Sequence, residues 1–543
     1  MHADGRTVPN GELVRTHACI VGAGPAGIAI ARELARGGSD VVLLERGAWE
    51  GAGLLEPLLT TDSVGLQYDI DGHRGTGFGG STHKWLVETP LGHGFGRLRE
   101  YDHDDFEHRP WVPYSGWPLT KRNLVPYYTR ARSLFDVDWP SDNPEPEWDE
   151  EWVRAHPRTH LANVNPRVFP FADPSVFSGP MRRELENSER ALILTHAVAT
   201  EFRGNDTGTR VEAVQVAASP ASSFSVEADV FVLATGAIEN ARLLLNSRVP
   251  WSTGLGNGHD LVGRFFMEHP RFTAGILTAS DPALIDDRTF HAITLHGGIP
   301  VQPKYRLDVE TTAREGLTNN TFFFTPAVRS VRLAAAREGL HRKRGPRAVR
   351  SLLAAAGRRR VPPSSLRLAV DLATDLTNVA KYLRIHRAVT RDAPGTLSDF
   401  LRIEVMAEQS PNPDSRVELL AERDALGVPR ASLRWQLADL DLRSYERAQE
   451  LFGASLEQAG LGQVFTLLAP DEVPVDLHAA SHHMGTTRMH PSPRHGVVNE
   501  DSRVHGVANL SVAGSSVFPT GGFANPTLTI LALALRLAEH LRD

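Results

Sequence analysis

Apolar positions along the chain follow two different patterns, which change over near residue 270. THACIVGAG is a short β-branched and apolar run ending in glycine, the pattern of a buried strand that begins near Arg15. IAIARELARGG then places apolar residues at helical spacing and stops at Gly37 and Gly38, after which DVVLLERG reads as a second buried strand. Strand, helix, strand in this order predicts a βαβ unit opening a parallel sheet. Between Trp111 and Asn187 the pattern loosens into Pro-, Trp- and acid-rich text with short helical hints. Strand signals return in ALILTHAVATEFRG, VEAVQVAA and SVEADVFVLATGA, and GAIENARLLLNS reads as a helix with Gly236 at its mouth.

Residues 271–474 look different: FTAGILTA, NNTFFFTP, FLRIEVMAEQ and ASLRWQL alternate as in an antiparallel sheet, with a helix at DLRSYERAQELFGASLEQAG. The chain closes on LTILALALRLAEHLRD, an amphipathic helix. The fold class is therefore α/β, a Rossmann-like domain built from discontinuous segments plus a second domain with an antiparallel sheet and helices. The expected division gives 12–110, 188–270 and 475–543 to the first domain and 271–474 to the second, with 111–187 as a covering segment. Within the second domain, 329–391 forms a basic helical insertion containing RKRGPR and RRR. That insertion is read first as a solvated helical face, with an acidic partner or a quinone-carrying membrane surface as the other readings.

Composition narrows the class. A chain of 543 residues exceeds what one core supports, and 41% hydrophobic with 23% charged residues is ordinary for globular proteins, which excludes a disordered scaffold. The net charge of −7 gives no reason to expect nucleic acid as partner. One cysteine, Cys19, excludes an intramolecular disulfide and a cysteine metal cluster. The N-terminus lacks an apolar core of signal-peptide length and no long uncharged apolar stretch occurs, so a cytoplasmic chain without a transmembrane segment is expected.

Candidate chemistry begins in VGAGPAGIAIARELARGGSDVVLLERG, where Gly22, Gly24 and Gly27 stand in GxGxxG spacing and Glu45 ends the next strand. The first glycine permits the turn, the second lets backbone approach a pyrophosphate at a helix N-terminus, and the third allows close helix packing, with Glu45 placed to accept from a ribose. This predicts a dinucleotide site and leaves FAD and a nicotinamide both open.

SHHMGTTRM, followed by GVVNEDSRVHGVANLSVAGSSVFPTGGFANPTLTILALALRLAEHL, resembles the closing signature of the glucose-methanol-choline (GMC) oxidoreductases. GFGGSTHKW, FVLATGAIENARLLL and LVGRFFMEHP extend the resemblance over almost the whole chain, thinly in the basic insertion. The resemblance implies FAD on the Rossmann-like domain and hydride transfer from an alcohol carbon. Carried over by position, the family's catalytic histidine is His482, before Gly485 and Thr486, with His483 a bystander, and the second member of the pair is Asn525. This resembles the His/Asn version seen among sugar oxidases and dehydrogenases, the pyranose-oxidase-like branch.

A histidine suits the proton-accepting role because its ordinary pKa of about 6.5 lies near neutral. Asn525 can donate to the substrate oxygen but cannot act as a base. The resemblance further implies cofactor contacts from Pro25, Ala26, Arg46, Gly79, Gly80, Ser81, Val198 near the adenine, Ala234, Gly514, and Pro526 with Thr527 at a helix start. Some relatives attach FAD to a histidine in the GFGGSTHKW loop. That position is Lys84 here, with His83 one residue early, so non-covalent FAD is expected. His269 and Pro270 match a family landmark read as structural. The substrate is expected to be a small alcohol, most of all a secondary hydroxyl of a sugar or glycoside, with oxygen, a quinone or another acceptor taking the electrons. A non-sugar alcohol, non-oxidative flavin chemistry, a sensor without catalysis and a nicotinamide-only dehydrogenase are the rival readings. No metal is expected.

Overall fold

The computed structural model describes residues 1–49, 61–135, 137, 144–327, 400–468 and 472–542, with a few positions between 348 and 380. The basic insertion 329–391 lies outside the described residues apart from those few.

Strand Leu13–Val21 is the axis of an eight-stranded sheet. Its inner half, Ala18 to Val21, is buried on both faces, as a continuous apolar run requires. It pairs in parallel with Val41–Leu44 on one side and with Ser222–Leu233 on the other. Beyond Val41–Leu44 lie Ala191–Thr195 and then His2–Asp4, so order begins well before Arg15. Leu510–Val512 returns to the same sheet beside Phe231–Leu233, and Val198–Gly204 with Val211–Ser219 extend it as an antiparallel meander. Helix Pro25–Arg36 buries Ile28, Ile30 and Leu34, and packs against the C-terminal helix Thr527–His540, which buries Leu528, Leu531 and Leu535. Each such side chain contributes roughly 1.5–3 kcal/mol of burial.

The second sheet has ten strands, and every pairing along it is antiparallel. Pro270–Ala279 pairs with Phe400–Ala407, and the order continues through Asn320–Ala327, Ile299–Leu307 and Val164–Ala172 to Gly92–Arg97. Strands 92–97 and 164–172 thus join this sheet from ahead of residue 271. Their sequences, GHGFGR and VNPRVFPFA, hide the alternation behind glycine and proline. One face is apolar: Phe272, Tyr305, Phe322 and Phe324 lie under helix Asp439–Gln458, with Phe322 stacked on Phe452 at 4.3 Å. The opposite face carries Arg271, Gln302, Lys304 and Phe323, because side chains alternate across a strand.

No helix among the described residues is long and apolar enough to cross a membrane, and no group of metal-ligating side chains is found there.

Candidate active site

At the carboxyl ends of the parallel strands the chain turns through Gly22, Gly236 and Gly514, and these turns open on one cavity of about 560 Å³. An open parallel sheet offers its ligand site at this edge. Three helices present their N-termini to it. Pro25–Arg36, Ala237–Asn246 and Thr527–His540 start at Gly24, Gly236 and Pro526, none with a side-chain cap, and all three cap residues line the cavity. Uncapped helix starts leave N–H groups free to bind an anion.

The lining fits an extended dinucleotide. A Cβ at Gly24, Gly236 or Gly514 would meet no atom within 4 Å, so bare backbone faces open space there. Gly22 is held by the opposite constraint: its φ is +108°, and a Cβ would stand 2.5 Å from the Ala234 carbonyl oxygen. The lining also includes Pro25, Ala26, Glu45, Arg46, Gly80, Ser81, Val198, Ala234, Thr527 and, at the far end, His482 and Asn525. Gly27 and Gly79 support it from behind. Gly27 lets the helix approach the Gly22 turn, where a Cβ would come within 1.9 Å of the Gly22 oxygen, and Gly79 donates its N–H to Ala23 at 2.8 Å. Arg46 Nη1 is buried without a hydrogen-bond partner among the described residues, 3.6 Å from Glu239, and lies in a site for an anionic group.

Glu45 does more than face a ribose. Its Oε1 accepts from Gly47 N at 2.8 Å and Gly77 N at 3.0 Å, and Oε2 accepts from Ala23 N at 3.0 Å. It ties three loops of the cavity together and leaves one acceptor direction over.

At the other end, His482 and His269 meet through their Nδ1 atoms at 2.8 Å. One must donate and the other accept. His269 Nε2 lies 3.1 Å from the Gly521 oxygen and 3.0 Å from the Gly522 oxygen, both pure acceptors, so Nε2 carries the proton. His269 is fully buried and its pKa is pushed down to about 4, chiefly by that burial, so the ring is neutral and Nδ1 holds a lone pair. His482 Nδ1 is then the donor and His482 Nε2 is unprotonated, accepting from Asn525 Nδ2 at 3.0 Å. The landmark histidine, read from sequence as structural, therefore sets the tautomer of His482.

Glu268 holds the two histidines in register. Its Oε2 accepts from His269 N at 2.6 Å and its Oε1 accepts from His482 N at 2.6 Å. Burial raises its pKa to about 7 against these hydrogen bonds. Tyr68 donates to Glu268 Oε1 at 3.1 Å and also contacts His483 Nε2, which turns the His483 ring into this support. Glu408, paired with Arg109 at 2.7 Å, accepts from Gly522 N at 3.0 Å and fixes the loop whose carbonyls accept from His269 Nε2–H.

His482 departs from the near-neutral value expected of it. Burial first, then His269, Lys304, Arg271 and His483, hold its pKa well below the usual range. These causes all favour the neutral ring. Sequence reading missed Glu268 and the cavity-lining Arg97 and Arg271 altogether, since isolated charged residues carry no local signal. His269 had one, the His-Pro landmark.

The parallel sheet, the bare glycine turns and the three helix starts make a dinucleotide site, and the matches to known proteins make its owner an FAD-dependent alcohol or sugar oxidoreductase. Residues 15–52 match the FAD binding domain model and residues 411–534 the GMC oxidoreductase C-terminal model. It is 26% identical to the 6'''-hydroxyparomomycin C oxidase of Streptomyces lividus over 96% of this chain and 91% of that protein. It is 37% identical to the C-glycoside 3-oxidase of Microbacterium trichothecenolyticum over 22% of each chain. Its fold matches the pyridoxine 4-oxidase of Mesorbium loti with a TM-score of 0.53 at 16% identity, covering 97% of this chain and 99% of that one.

Proposed function

We propose that the protein oxidises a secondary hydroxyl of a sugar or glycoside to a carbonyl, with His482 as the base. The observation that carries this reading is the unprotonated Nε2 of His482 in the cavity lining, held by the Asn525 amide until a substrate hydroxyl takes its place. Bound FAD supplies a hydride acceptor. The substrate hydroxyl proton goes to His482 Nε2, and the His269 lone pair stabilises the imidazolium that results through the Nδ1–H. Asn525 Nδ2 donates to the same substrate oxygen as alkoxide character develops, a contribution of geometry and charge. The Thr527–His540 helix, starting beside Asn525, adds its positive end on that side. The sugar and glycoside oxidases among the relatives support the substrate class.

Non-covalent retention of FAD is supported by the loop at 79–85. His83 Nε2 donates to the Phe78 oxygen at 2.7 Å and is absent from the cavity lining, and Lys84 Nζ donates to the Gly72 oxygen at 3.1 Å.

The test is anaerobic visible absorbance of purified protein with sugars, glycosides and simple alcohols, in wild type and His482→Ala. Bleaching by one substrate class that is strongly slowed in the variant is the expected result. Bound flavin that no alcohol bleaches would overturn the reading.

A further inference from the structure

The face of the antiparallel sheet that looks toward the cavity carries cations of two kinds. Those farther in are matched by carboxylates. Arg99 donates to both oxygens of Asp149, at 3.0 and 2.7 Å, Arg167 Nε donates to Asp102 at 2.8 Å, and Arg306 donates to Asp104 at 2.7 Å. The two arginines of this face that line the cavity are not matched in this way. Arg97 donates to the neutral Gln302 Oε1 at 2.9 Å, and its buried Nε has no partner among the described residues. Arg271 makes no hydrogen bond or ion pair among the described residues and lies over the Phe323 ring at 5.4 Å. Glu404, the one carboxylate whose charge reaches Arg271, is engaged with Arg402 at 2.5 Å.

Lys304 lies behind them, fully buried between the Phe169 and Phe323 rings with Met406 sulfur at 3.7 Å as its neighbour, where burial favours its neutral form. Desolvation together with Arg271 pulls Arg97 down to about 9. Two arginines gathered at one end of a cavity, with Glu404 already held by Arg402, are costly unless something negative joins them.

We propose that Arg97 and Arg271 form an oxyanion subsite, so that the alcohol this enzyme oxidises carries a carboxylate or a phosphate. The inference rests on the reading of His482 and Asn525 as the hydroxyl-binding end. Arg271 follows His269 by two residues in extended chain, so one segment places the group that orients the base and the group that holds the anion on the same face. Arginine suits the task because its planar donors pair with both oxygens of an oxyanion. The same charge repels an ammonium, which sets acidic sugars apart from amino sugars.

The experiment uses the flavin-loaded enzyme and four matched probes: glucose, glucuronate, glucose 6-phosphate and glucosamine. Equilibrium binding of malonate, a dianion with no hydroxyl to oxidise, is read alongside from the perturbation of flavin absorbance. We expect glucuronate or glucose 6-phosphate to exceed glucose in kcat/KM by about ten- to a hundredfold, the worth of one or two charge-assisted hydrogen bonds, with glucosamine last. The two anionic probes tell carboxylate from phosphate. In Arg97→Gln and Arg271→Gln the anion-to-neutral ratio and malonate affinity should fall together, while Arg271→Lys, which keeps the charge, should recover part of both; flavin content of each variant reports folding.

Equal rates with glucose and the anions, together with malonate binding that ignores both arginines, overturns the subsite and leaves the alcohol oxidase reading standing. Arginine-dependent malonate binding with no bleaching by any alcohol does the reverse: the subsite holds and the proposed function fails.

Discussion

The two ends of the cavity are built on opposite principles. At the cofactor end, recognition is by backbone: Gly22, Gly236 and Gly514 bare their main chain, and three helix starts supply N–H groups, all from segments where strand, turn and helix follow one another directly. At the substrate end, recognition is by side chains from segments far apart in sequence, with Arg97, the His269–Arg271 segment and Lys304 brought together by sheet pairing. Backbone recognition needs a local geometry, which a glycine spacing encodes. Side-chain recognition needs only one residue from each strand, and one residue is not a pattern.

The largest effect should come from the base. His482→Ala is expected to slow anaerobic flavin bleaching by about 10²–10⁴-fold, the range of a general base, while flavin content stays that of wild type. A loss of flavin instead would mean that the two ends are not separable and would break the contrast.

His269 comes next, since it acts through His482. His269→Ala leaves the His482 Nδ1–H without its acceptor and frees the ring to adopt the other tautomer. The expected loss in kcat/KM is about ten- to a hundredfold, from an unmet buried donor costing roughly 1–3 kcal/mol. His269→Asn offers an oxygen near the place of Nδ1 and should recover part of it, with the pH profile returning toward wild type. A purely structural role for His269 would show equal losses in both variants.

The difference between the ends also explains what could be read from sequence. The parallel sheet, its glycine turns and the closing helix were legible because each is a short contiguous pattern, as in VGAGPAGIAI and FANPTLTI. His482 and Asn525 were legible only through resemblance to a family, since neither spacing nor periodicity joins residues 43 apart. The Glu268 staple was out of reach, because a carboxylate that accepts from two backbone amides leaves no mark on its neighbours in sequence. The strands at 92–97 and 164–172 were hidden for another reason: glycine and proline interrupt their alternation, and pairing with Ile299–Leu307 rather than intrinsic preference supports strand 164–172.

A smaller effect separates cofactor recognition from packing. Gly24 has a φ of −80°, which any residue adopts, and a Cβ there meets nothing within 4 Å. Gly24→Ala should therefore fold with unchanged thermal stability as apoprotein and still hold flavin about tenfold less well, because the methyl group occupies the space that bare backbone leaves for the pyrophosphate. Equal flavin affinity, measured by titration of the apoprotein, would remove Gly24 from the recognition surface. Gly27→Ala is the contrasting variant. Its Cβ would collide with the Gly22 oxygen, and the apoprotein itself should lose stability.

The smallest effect is a shift in pH dependence, and its sign follows from the groups around His482. Burial is the main cause of its lowered pKa, and His269, Lys304, Arg271 and His483 each lower it further. A histidine base works when neutral, so the acid limb of kcat/KM follows the folded pKa of His482 and should lie below the ordinary value of about 6.5. Lys304 has a pKa that burial, Arg97 and Arg271 also hold down, yet at the acid pH where His482 titrates it carries more of its charge than at neutrality. Removing that cation in Lys304→Met makes protonation of His482 easier, so the acid limb should move toward higher pH, by less than about one unit because desolvation remains. A shift toward lower pH would mean that Lys304 stabilises the imidazolium through a route other than charge, and an unmoved limb would place the titrating base somewhere other than His482.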